Sequence, residues 1–124
     1  MQSLFTSYLK KEYDGKSAAF ELKIAKSNTL PFSRIEPHQI DALWRAKNER
    51  VVHKISDMSV GFKPWDCFIL RNSDAFLVVM YYKPRTKKIV YFIDIDVLLT
   101  EIKKGGTSLS EEQAKLIASK VINL

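Results

Sequence analysis

Residues 18–25 read Ala18-Ala19-Phe20-Glu21-Leu22-Lys23-Ile24-Ala25, and the fold turns on them. Phe20, Leu22 and Ile24 alternate with Ala19, Glu21, Lys23 and Ala25. That period of two predicts a strand with one apolar face. The other face carries Glu21 and Lys23 side by side. Only alanines flank them there, which leaves space above the charged pair.

Upstream, Leu4, Phe5, Tyr8 and Leu9 have the i, i+4 spacing of a short amphipathic helix. Asp14-Gly15 is a turn signal that also permits an extended reading of this stretch. Downstream, residues 26–36 are polar and turn-like, and Pro37 suits the first position of a helix reaching about Arg50. Ile40, Leu43, Trp44 and Lys47 share one face of that helix. Val51–Ile55 reads as a short strand and Ser56–Pro64 as a loop. Cys67–Arg71, Ala75–Tyr82 and Lys88–Asp94 are rich in β-branched and aromatic residues. The turn residues between them suggest antiparallel neighbours. Ile95–Lys104 reads as a helix ended by Gly105-Gly106. Ser108 or Ser110 then caps a last helix with Leu116, Ile117, Val121 and Leu124 as its stripe. The expected class is α/β (α+β), a mixed sheet flanked by helices in one domain, residues 1–124.

The chain has 124 residues, 46% of them apolar and 27% charged, as in ordinary globular proteins rather than disordered tails. No run approaches the ~20 apolar residues of a membrane span, and the start lacks a secretory-signal pattern. The lone Cys67 excludes an internal disulfide and a cysteine-rich zinc site, so an intracellular, cytoplasmic setting is expected. Cys67 itself reads as a small buried hydrophobe. A net charge of +6 suits a polyanionic partner and equally a solvated basic face.

Asp14-Gly15-Lys16, Glu21-Leu22-Lys23 and Glu101-Ile102-Lys103 all place an acid two residues before a lysine. The first lies in a turn and the third on a helix, where residues two apart do not face each other. On a strand they do. Glu21 can therefore hold a hard divalent cation while Lys23 orients a water and offsets charge growing on a phosphate. The bland alternative is an ion pair facing solvent, worth roughly 0–1 kcal/mol.

The succession from Phe20-Glu21-Leu22-Lys23 through Ser27-Asn28-Thr29-Leu30-Pro31-Phe32-Ser33 to Pro37-His38-Gln39 resembles the PD-(D/E)XK nuclease superfamily. Within it, the likeness is to Holliday-junction resolvases of the penicillin-binding-protein-related factor A type and to small phage or bacterial relatives. It covers about residues 18–44. A looser likeness runs through Lys54-Ile55-Ser56-Asp57 and Lys63-Pro64-Trp65-Asp66-Cys67-Phe68 to Asp94. The resemblance implies a restriction-endonuclease-like mixed sheet, Mg²⁺ or Mn²⁺ as cofactor, and endonucleolytic cutting of DNA, branched DNA included, often by a homodimer. It implies Glu21 as metal ligand, Lys23 as catalytic lysine, Gln39 beside the site, and the Leu22 backbone carbonyl as a further ligand.

The chain departs from the family where an aspartate usually precedes the Glu-x-Lys strand. Phe5-Thr6-Ser7-Tyr8-Leu9 holds no acid, and the nearest are Glu12 and Asp14. Asp66 or Asp14 is then the candidate second carboxylate. Without either, the chain would be a catalytically silent DNA-binding module on the same fold. Lys10, Lys11, Lys16, Lys26 and Arg34 bracket the motif and suit phosphate contacts, as do the hydroxyl of Thr29 and His38. Each equally suits an ordinary surface role. His38 and His53 lack a zinc-ligand spacing. Trp44 reads as core, and Trp65 as packing or a base-stacking platform.

Overall fold

The computed structural model describes residues 1–54 and 67–124. The stretch Ala18–Ala25 forms a strand, β1, as its alternation predicts. Helix α1 (Gln2–Lys11) precedes it, so the helical reading of the N-terminal segment holds. A short strand β2 (Thr29–Pro31) and a 3₁₀ turn (Phe32–Arg34) follow, where only loop was expected. Then come helix α2 (Pro37–Asn48), strands β3 (Arg50–Lys54), β4 (Cys67–Arg71), β5 (Asp74–Tyr81) and β6 (Ile89–Asp94), and helix α3 (Ile95–Lys103). Strand β7 (Ser108–Ser110), helix α4 (Glu111–Ile117) and strand β8 (Lys120–Asn123) complete the chain. Helices thus pack on a mixed sheet, an α/β (α+β) architecture.

The central sheet has the order β1-β5-β6-β8. β1 runs parallel to β5, with Glu21 opposite Leu77 and Lys23 opposite Val79. β5–β6 and β6–β8 are antiparallel. The three central runs are not all neighbours, however. β4 pairs with β3 in a separate hairpin. The turn between β4 and β5 causes the switch: Asn72 takes a left-handed φ of 51°, and buried Ser73 donates its amide to the Ala46 carbonyl. Ser73 Oγ also lies 2.7 Å from Ser17 Oγ, just before β1. The chain therefore enters β5 beside β1 rather than folding back on β4.

Both faces of the sheet are covered. Phe20 and Leu22 point to the α1 side, where Phe5, Val78, Met80, Val90 and Phe92 are buried. Phe92 is at the middle of this aromatic layer, with ring centroids 5.8 Å from Phe5, 6.0 Å from Phe20 and 5.5 Å from Phe76. Ala19 and Ala25 point to the other side, toward Leu43 and Ala46 of α2, Leu77, Val79, Tyr91 and Ile93. The alanines beside Glu21 and Lys23 thus make room for a helix, not for open solvent. Leu43 is the buried anchor of α2, whereas Trp44, expected in the core, is 36% exposed. Lys47, on the same helix, reaches both Asp94 oxygens and Asp96 Oδ2 at 2.8 Å and ties α2 to α3.

Gly105, with φ +88°, ends α3 in a conformation that side chains resist. Of the two candidate caps, Ser110 is the one used: its Oγ accepts from Gln113 N, and Gln113 Oε1 accepts from Ser110 N. The last helix stops at Ile117, contrary to the expected stripe through Leu124. Ser119 donates its amide and its hydroxyl to the Phe92 carbonyl, and Val121 and Ile122 extend the β6 ladder. Edge pairing outweighs helix continuation here, and it leaves Leu116 exposed.

Glu111 opens α4 and accepts from Lys83 Nζ at 2.8 Å and Tyr91 Oη at 2.9 Å. The Lys83 bond, helped by Tyr91 and opposed by burial, holds its carboxyl below the ordinary 4.5. Burial, then the Glu111 bond, pushes Tyr91 up to about 12. A lowered carboxyl contributes stability that is complete above the ordinary value and fades as pH falls through the folded one. A raised tyrosine contributes below its ordinary value of 10.0 and fades as pH rises through about 12. Melting temperature should therefore drop less steeply between roughly pH 5 and 3 in Glu111→Gln than in the parent chain. Parallel acid limbs would refute this assignment.

Candidate active site

Glu21 and Lys23 stand on β1, an edge strand, with Lys23 Nζ 3.5 Å from Glu21 Oε1. Their side chains are 27% and 15% exposed, so the pair does not project into open solvent. Glu21 lines a cavity of about 330 Å³ with His38, Gln39 and Leu43 of α2 and His53 and Phe68 of the β3–β4 hairpin. It also lines a groove of about 560 Å³ on the α1 side, with Gln2, Thr6, Leu22 and Ile24. Sitting on the edge makes Glu21 reachable from both.

Backbone parity sets the ligand options. The Ser17 and Ala25 carbonyls accept from Asp74 and Tyr82, so the odd-numbered residues of β1 turn their backbone groups toward β5. The even-numbered residues turn theirs to the outer edge. The Ile24 carbonyl there accepts from Arg34 Nη1 at 2.7 Å. Two residues earlier, the Leu22 carbonyl faces the same open edge, beside Glu21.

Gln39 lies in the first turn of α2 and lines the Glu21 cavity. Its Oε1 accepts from Glu36 N at 3.0 Å, which closes a capping box. That bond orients the side chain and leaves its NH₂ as donor. His38 lines the same cavity, at the helix end whose dipole favours anions. His53 does too, with its ring 5.1 Å from Phe68. Sequence reasoning gave His53 no part in the site. The alternation of Val51 with His53 marks a hairpin face, but nothing local says that this face looks toward Glu21.

Comparison with family models, with characterised proteins and with solved structures returns no match to this chain.

The remaining candidates scatter. Asp14 interacts with the charge of Lys120 and lines neither cavity next to Glu21. Asp66 and Trp65 lie outside the described residues. Among the described residues, no three His, Cys, Asp or Glu side chains form a group fit to hold a metal ion. Lys11 lines a groove with Asn123 and Leu124 at the far edge of the sheet, and Lys10 precedes it in the last turn of α1. Nearness to Glu21 in sequence is not nearness in space for these two, because α1 crosses the whole sheet. Lys16 pairs with Asp74 at 3.6 Å, and Lys26 is exposed after β1. Thr29 is half-buried in β2 opposite Ser110, and its carbonyl accepts from Ser27 Oγ. Arg34 covers the sheet edge with one guanidinium nitrogen. Cys67, expected buried, is half-exposed. Among the described residues, no helix is long and apolar enough to cross a membrane.

Proposed function

We propose that this chain is a Mg²⁺- or Mn²⁺-dependent DNA endonuclease of the PD-(D/E)XK kind, acting like a Holliday-junction resolvase on branched DNA, with a homodimer as the working form. The observation that carries this reading is the sheltered Glu21–Lys23 pair on one face of an edge strand, with Glu21 lining a cavity on either side.

The Glu21 carboxylate and the Leu22 carbonyl are the oxygen donors on offer among the described residues. Such a pair fits Mg²⁺, which keeps several waters and is commonly held by one or two carboxylates together with substrate phosphates. When bound, the ion supplies Lewis-acid polarisation of a phosphoryl oxygen and lowers the pKa of a bound water. Lys23 holds the attacking water through its ammonium donors and offsets charge developing on the phosphate. The Gln39 NH₂ and the positive end of α2 orient the scissile phosphate. Water adds to phosphorus and gives a proton to solvent, while the P–O bond to the leaving sugar opens and that sugar oxygen takes a proton from solvent.

The second reading, a silent DNA-binding module, is favoured because among the described residues no second carboxylate lines either cavity beside Glu21. Purified protein should nick or resolve branched DNA with Mg²⁺ or Mn²⁺ and stay inert in chelator. If branched, single-stranded and duplex DNA all remain intact, the nuclease reading fails. Binding that persists without divalent ions then selects the silent module.

A further inference from the structure

We propose that Arg50 and Arg71 form a phosphate clamp that grips duplex DNA at the base of the β3–β4 hairpin; this rests on DNA being the partner. The two arginines are direct cross-strand partners. Both are exposed. They line a cleft of about 320 Å³ with Asn48, Glu49 and Asn72. Like charges directly opposite each other weaken a strand pair. Among the described residues, neither arginine has a carboxylate within ion-pair distance, although Glu49 shares the cleft. A polyanion supplies the missing countercharge, and the guanidinium fork matches a phosphate's paired oxygens.

The hairpin has two distinct faces. One carries Val51, His53, Phe68 and Leu70 into the Glu21 cavity. The other bears Arg50, Val52, Ile69 and Arg71, with Val52 48% and Ile69 56% exposed. The arginine cleft shares no lining residue with the Glu21 cavity, so the clamp grips phosphates outside that cavity. This arrangement separates holding, done by the hairpin, from cutting, done on β1.

Binding of a labelled DNA duplex, measured by anisotropy in chelator from 50 to 200 mM salt, tests the clamp apart from catalysis. Arg50→Ala/Arg71→Ala should reduce the magnitude of the log–log salt slope by about 2, and each single variant by about 1. Glu49→Gln should tighten binding, since it removes the one acid of the cleft. Lys87→Ala/Lys88→Ala removes equal charge from the loop at the other end of β5 and serves as control. Thermal melting confirms that each variant folds; if the double variant does not, the singles decide. An unchanged slope in the arginine variants, an equal loss in the control, or no effect of Glu49→Gln overturns the clamp. Failure to cut with the slope changes intact would overturn only the nuclease reading.

Discussion

Glu21→Gln is expected to cut metal-dependent DNA cleavage by on the order of 10³-fold while leaving the fold in place. The substitution keeps the shape of the side chain and removes the charge that a divalent ion needs. It also leaves Lys23 half-buried beside a neutral amide, a change at a 3.5 Å pair expected to alter stability by about 1 kcal/mol or less. Lys23→Met should lower turnover by about 10²-fold or more, because among the described residues no other lysine pairs with Glu21. Single-turnover cleavage of branched DNA across a Mn²⁺ series checks both. A glutamine variant that cuts at the parental rate would remove Glu21 from the chemistry, whatever its position. DNA binding in chelator should survive both substitutions, which separates lost catalysis from lost affinity.

Phe92→Ala is expected to lower unfolding free energy by about 3–5 kcal/mol, a large share of the ~5–15 kcal/mol typical of small domains. Phe92 has no exposed surface. Its ring meets Phe5, Tyr8, Phe20 and Phe76 at centroid distances of 5.5 to 6.3 Å. Truncation opens a cavity that sheet residues cannot fill, because their backbones are fixed by ladders on both sides of β6. Phe92→Leu should lose much less, since it keeps most of the volume. Urea midpoints measure both. A loss under about 1 kcal/mol for the alanine variant would mean that the α1 side of the sheet is loosely packed.

The two layers differ in how far they could be read in advance. Alternation in residues 18–25 reveals both the strand and the shared face of Glu21 and Lys23, because side-chain direction repeats every two residues. The opening of α2 is equally legible, since Pro37 and Gln39 act through local backbone geometry. The surroundings of the pair are not. Charged residues flanked by alanines look the same in sequence whether solvent or a helix lies above them. Only the packing of Leu43 and Ala46 onto that face distinguishes the two. His53, Arg50 and Arg71 escaped notice for the same reason: their neighbours come from other strands.

By itself the sequence determined most of the longer local elements, the acid–base pair on one pleat, the opening of α2 at Pro37, and a cap for α4 narrowed to Ser108 or Ser110. These depend on interactions spanning a few residues, which neighbouring side chains encode directly. Only the tertiary structure decided that β1 runs parallel to β5 at the sheet edge, that β4 leaves the central sheet for β3, and that the C-terminal residues pair as a strand instead of extending a helix. Those outcomes rest on contacts between segments far apart in the chain. Their energies depend on burial and on which backbone edges remain open, and no local pattern records either.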